Sequence, residues 1–147
     1  MDQSKSRGCL IAGRGVGEFF RKDHLVLSEL FRKFQANKYS DYDRARKCFE
    51  EFKSRLENHM VWEEELLFPF FDDKTGMQYS GLTAVMRTEH ARIREALLEI
   101  YSQTVNMNPH SESSELSLLA ILNTHNDKEE ATLYPVIDDD PVNGGGQ

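Results

Sequence analysis

The sequence predicts an all-α protein, an up-down-up-down four-helix bundle built from two pseudo-symmetric helical hairpins. Three observations carry this. Apolar positions recur at alternating four- and three-residue steps in four segments, the spacing that lines one face of a bundle helix. No segment sustains an alternation of period two, so strands are not required. The breaks between segments are short, which makes consecutive helices antiparallel neighbours.

The first segment runs through Phe20, His24, Leu27, Phe31 and Phe34. Asn37 to Asp41 then forms a turn, with Ser40 or Asp41 as N-cap of the second helix. That helix carries Phe52, Leu56, His59, Glu63, Leu66 and Phe70 on its inner face. Asp72 to Gly76 reads as the second turn, and Ser80 as the cap of the third helix. Met86, His90, Ile93, Leu97 and Ile100 form its seam. Asn106 to Ser111, with Pro109, is the third turn, and Ser111 or Ser113 caps the fourth helix. The last seam is Leu118, Leu122, His125, Glu129 and Thr132. Pro69 and Pro135 fall near helix ends, where a stop or kink is tolerable. Gly8, Gly13, Gly15 and Gly17 mark a loose start, and Pro141 with Gly144 to Gly146 a loose tail. The expected layout is a flexible segment 1–15, a bundle 16–138 and a flexible tail 139–147.

Composition narrows the function classes. A chain of 147 residues fits one domain with a real core. Acidic residues outnumber basic ones by 25 to 18, giving −7, which argues against a nucleic-acid binder needing a basic face. The central apolar run, Leu66 to Phe71, is far short of the roughly 20 residues of a membrane span. The apolar stretch Cys9 to Ala12 is shorter than the ~7–15 residues of a secretory signal. Cys9 and Cys48 make no disulfide framework. A soluble, cytoplasmic chain in a reducing compartment is expected.

Five histidines in an acidic chain need an explanation, and an internal repeat supplies it for four. Displacing the chain by 66 residues lays His24 on His90, His59 on His125, Glu63 on Glu129, Glu64 on Glu130 and Asp23 on Glu89. Phe68 falls on Tyr134 and Pro69 on Pro135. His110 has no counterpart and reads as a surface loop residue.

Six polar residues thus occupy inward positions: His24, His59, Glu63, His90, His125 and Glu129. Buried carboxylates without partners are very costly. Four residues advance a helix by about 400°, so each His-x-x-x-Glu pair shares a face one turn apart. The set suits two metal ions, each with two histidines, bridged by both glutamates about 3.5–4 Å apart. Imidazole and carboxylate ligands with open positions suit iron, with manganese as the alternative. Neither cysteine joins the repeat, which weighs against a thiolate zinc site. Two divalent ions would bring −7 to about −3, so the acidity describes a cation-filled core more than a partner. Asp23 and Glu89 point roughly 100° from the histidines beside them and are expected to be exposed, or paired with Arg21 and Arg87. Glu64, Glu65 and Glu130 read as solvated surface, Trp62 as packing beside the site and Cys48 as packed inward.

These motifs resemble the hemerythrin-like family of HHE cation-binding domains over roughly Val16 to Ile137. They are Asp23-His24, His59 to Glu63-Glu64 and on to Leu67-Phe68-Pro69, Glu89-His90, and His125 to Glu129-Glu130 and on to Leu133-Tyr134-Pro135. The resemblance implies a non-haem di-iron centre that binds oxygen, nitric oxide or peroxide for sensing, redox handling or iron homeostasis. It also admits an enzyme consuming peroxide or nitric oxide, or an iron-supply protein for iron–sulfur clusters. A redox or iron-acceptor partner is not named by the sequence. Two departures from the oxygen carriers stand out. Arg94 occupies the place of a fifth histidine, and His125-x-x-x-Glu129 replaces their His-x-x-x-x-Asp. A water, or a carboxylate or tyrosine such as Tyr39 or Tyr42, would take the place of the missing histidine.

Overall fold

The computed structural model describes residues 15–76 and 81–139, all of them in helices or short connections. Helix α1 spans Val16–Asn37 and α2 Tyr42–Trp62. A π-helical turn, Glu63–Leu67, joins α2 to α3, Phe68–Thr75. Helix α4 is Leu82–Val105 and α5 Glu112–Lys128. A second π turn, Glu129–Leu133, leads into α6, Tyr134–Asp138. Counting each helix–π–helix run as one rod gives the expected four-helix bundle. Helix α1 packs on α2, and α4 on α5; α1 also meets α6, and α2 meets α4.

The caps follow local chemistry. Asp41, not Ser40, caps α2, its carboxylate accepting from the Arg44 amide at 3.2 Å. Ser111 stands at the N-cap of α5 but gives its hydroxyl to Glu115 at 2.5 Å. Gly81 occupies the N-cap of α4, and the predicted cap Ser80 lies outside the described residues. So do Cys9 and both predicted flexible segments, apart from Gly15 and Asp139. Two boundaries differ from expectation. Gly17 is buried within α1 rather than in a loose segment. Asp72 to Thr75 stay helical, and the stop comes at Gly76, whose φ of 74° a Cβ-bearing residue adopts only with strain.

The π turns explain one systematic error in the seam. They occur at the same place in each repeat, 66 residues apart. Each inserts an extra residue into its turn and so rotates the following helix by about one position. The buried residues are therefore Leu67 and Phe71, not Leu66 and Phe70, and Leu133 and Ile137, not Thr132, which is exposed. Each π turn also precedes a proline, Pro69 or Pro135, whose ring would clash with a carbonyl four residues back in a regular helix. The other seam residues are buried as predicted, and Cys48 packs half-buried against the core.

The apolar core is split in two. One part, around Phe31, Phe34, Phe49, Phe52 and Ile100, fills the end holding the α1–α2 turn. The other, around Phe20, Phe68, Met86 and Ile137, fills the opposite end. The six inward polar residues form a layer between them. Lys38 is buried in the far end, where it donates to Glu115 at 2.6 Å and Glu112 at 3.0 Å.

Candidate metal centre

All six inward residues are buried, Glu63, His90 and Glu129 completely. Helix α1 brings His24, α2 His59, α4 His90 and α5 His125, while the two glutamates open the π turns. The four Nε2 atoms face the two carboxylates. His24 Nε2 lies 3.1 Å from Glu129 Oε1, and His125 Nε2 lies 2.8 Å from Glu129 Oε2. His59 Nε2 is 3.1 Å from Glu63 Oε2, and His90 Nε2 is 3.0 Å from Glu63 Oε1. Two groups of four donors result: His24, His59, Glu63 and Glu129, and Glu63, His90, His125 and Glu129. Within each group the donor atoms lie within 4.8 Å of one another. Both carboxylates belong to both groups, as a bridging pair must.

The Nδ1 atoms point the other way, and each meets an outer carboxylate. His59 Nδ1 lies 2.7 Å from Asp23, His125 Nδ1 2.8 Å from Glu89, His90 Nδ1 2.7 Å from Glu64 and His24 Nδ1 2.7 Å from Glu130. This corrects four expectations. Asp23 is buried between His59 and Arg55, and Glu89 pairs with His125 and Lys128. Arg21 pairs instead with Asp138, and Arg87 donates to the Glu64 carbonyl. Glu64 and Glu130 are not simply solvated, whereas Glu65 is exposed as expected. The physical reason is that a side chain turned about 100° from its own helix's inward histidine or glutamate faces the neighbouring helix and reaches that helix's histidine. The signal was in the sequence, because these four acids obey the repeat as the six inward residues do.

The charges bind the layer together. Burial raises the carboxyl values of Asp23, Glu64 and Glu89, but hydrogen bonds and charges from their histidine and cationic partners outweigh it and hold each below its ordinary value. Ionised carboxylates only accept, so Nδ1 carries the proton and Nε2 is turned toward the centre. Burial lowers His59, yet the Glu63 charge and the bonds to Asp23 and Glu63 lift it to about 10. His125 rises to about 11 against the same burial, through Glu129 and Glu63. Glu63 is held well below its ordinary value by the three histidines around it, despite its burial. Protons thus act as the centre's cations, and a metal ion would displace them. His59 Nε2 and Glu129 Oε2 are buried without an aligned hydrogen bond. Unsatisfied atoms of this kind are costly unless something else engages them, and both belong to the donor groups. The residues present therefore fit a pair of metal ions.

A family profile, the hemerythrin HHE cation binding domain, matches residues 16–137. The chain belongs to this family. An uncharacterised hemerythrin-like protein of Schizosaccharomyces pombe (strain 972) is 26% identical over 123 residues, covering 84% of this chain. The chain spans 59% of that relative's length. No solved structure matches it.

Within this hemerythrin-like domain, Arg94 has a structural task in place of the fifth histidine. Its guanidinium grips Glu64 with two bonds, at 2.8 and 3.1 Å, and so holds the carboxylate on His90. Tyr39 and Tyr42 cannot supply a donor. They lie at the far end, bonded to Glu112 and to the Asn108 carbonyl. The tyrosine at the centre is Tyr134, fully buried, with its hydroxyl 2.8 Å from Glu129 and 3.0 Å from Glu63. Burial and the two carboxylate charges push this phenol well above its ordinary value. Trp62 packs on Phe20, whose ring centre is 4.9 Å from that of His59. His110 is exposed in its loop beside Tyr39. A cleft of about 200 Å³ opens between α1, α2 and α5, lined by apolar residues such as Leu27, Phe31, Phe52 and Leu56 together with Arg32, Gln35 and Asn126. Of the six inward residues, His24 lines it. Among the described residues no helix is long and apolar enough to cross a membrane.

Proposed function

We propose that this domain holds two non-haem iron ions through His24, His59, Glu63, His90, His125 and Glu129. There it binds a small ligand, oxygen, nitric oxide or peroxide, for sensing, redox handling or iron homeostasis. The observation that carries the reading is the sharing of Glu63 and Glu129 by both four-donor groups. Iron at such a site supplies redox chemistry and open coordination positions. The chain's own residues do the rest. The outer carboxylates lock the imidazole tautomers, and the apolar layers on either side exclude bulk water. The cleft at His24, with its mixed apolar and polar walls, offers a small molecule a path to the donor layer. Manganese is the alternative metal. We place the protein in a reducing, cytoplasmic setting, in keeping with the free thiol of Cys48.

Metal analysis after iron-replete expression tests the reading, together with optical spectra of the reduced protein exposed to oxygen. Two irons per chain and a ligand-to-iron band are expected, and Glu63→Ala with Glu129→Ala should lose both ions. Zinc alone, or no metal, rejects it. A second reading, turnover of peroxide or nitric oxide, is favoured by the same cleft, which opens the donor layer to small reactants at His24. Sustained consumption by the iron-loaded protein supports turnover; stoichiometric uptake rejects it.

A further inference from the structure

We infer that Tyr134 is a seventh donor, its phenol oxygen ligating the metal held by His24 and His59 and not the other one. This rests on the two-iron reading above. The hydroxyl oxygen lies 2.8 Å from Glu129 Oε1, 3.0 Å from Glu63 Oε2 and 3.2 Å from His24 Nε2. All three atoms come from residues of the first donor group. Neighbouring corners of an octahedron with bonds of about 2.1 Å stand about 3.0 Å apart. The three separations are those of one more corner beside three donors. Hydrogen bonding alone accounts for them less well. The hydroxyl carries a single proton and can give it to only one of the two carboxylate oxygens.

The other half of the repeat lacks this oxygen. Phe68 takes the equivalent place, its ring 5.4 Å from His90 at 31°, as the Tyr134 ring stands 5.8 Å from His24 at 34°. The packing is symmetric and the chemistry is not. One metal position has five protein donors and the other four. On loading, the tyrosine O–H bond breaks, an O–iron bond forms, and the proton passes to solvent; no electron moves. Tyrosinate is an established iron ligand in haem proteins.

Iron-loaded wild type and Tyr134→Phe, both oxidised to the ferric state, decide the matter by iron content, visible absorption and resonance Raman. Wild type should show a phenolate-to-iron band with enhanced tyrosine ring vibrations. Tyr134→Phe should keep two irons and lose both signals. Identical spectra at two irons per chain overturn the inference and leave the two-iron reading standing. A wild type that takes up no iron overturns both. Should the variant not fold, the wild-type Raman spectrum decides alone. Tyr134 is the tyrosine that touches the centre among the described residues, so absent tyrosinate vibrations refute the assignment.

Discussion

Replacing Glu64 by alanine isolates what an outer carboxylate does for a histidine of the donor layer. Glu64 accepts from His90 Nδ1 at 2.7 Å and is itself held by two bonds from Arg94. His90 is completely buried, so its Nδ1–H would be orphaned. That costs about 1–3 kcal/mol of folding stability. The freed imidazole can also rotate or change tautomer, which should weaken metal binding about 10–100-fold. Arg94→Ala acts on the same carboxylate from its half-exposed side and should cost about 0.2–1 kcal/mol, about fivefold at most. Because Arg94 acts through Glu64, the double variant should bind metal as Glu64→Ala alone does. The assay is anaerobic competition for ferrous ion against a chelator, with each variant's fold checked by circular dichroism. Additive effects, or an Arg94→Ala loss as large as that of Glu64→Ala, would refute the chain of support from Arg94 through Glu64 to His90.

Three further outcomes are expected. Lys38→Met leaves the Glu115 carboxylate buried without its cation, which should cost about 3–5 kcal/mol and lower the melting temperature by about 10 °C; Lys38→Met with Glu115→Leu should recover most of it, and an unchanged single variant contradicts the pairing. His59 and His125 are raised from 6.5 to about 10 and 11, so their contribution to the metal-free fold is complete below pH 6.5 and fades as pH rises through those values. Glu63, depressed from 4.5, contributes above that pH and loses its contribution on acidification. Thermal melts of metal-free protein should therefore fall from pH 6.5 toward 10 while metal affinity rises over the same range, and parallel trends would contradict the exchange of protons for metal. Gly17→Ala should destabilise by about 1–3 kcal/mol, because a Cβ there would stand 2.9 Å from the Tyr134 Cβ and displace Asp138. A denaturant melt as stable as wild type would show that α6 can shift freely.

Much of the candidate site was legible before any tertiary contact. The repeat of 66 residues and the two His-x-x-x-Glu pairs named the six residues of the two donor groups, because helical period alone dictates which side chains share a face. The same repeat carried Asp23, Glu64, Glu89 and Glu130, whose task was missed because periodicity describes a helix's own axis and not what its neighbour presents. The register after Glu63 and Glu129 was missed for a related reason. A π turn has no strong compositional mark, and one inserted residue turns the following helix by about 100°.

The sequence by itself determined the all-α bundle, its two hairpins, the four inward histidines and two inward glutamates, and the acidic balance. Tertiary structure alone decided which carboxylate steadies which histidine, that Arg94 serves Glu64, and that Tyr134 rather than Tyr39 or Tyr42 stands at the centre. It also decided the burial of Lys38 against Glu115 across 77 residues. The division follows from range. Helix periodicity and repeats are local properties of one chain direction, whereas a donor's partner is set by the rotation of one packed helix against another.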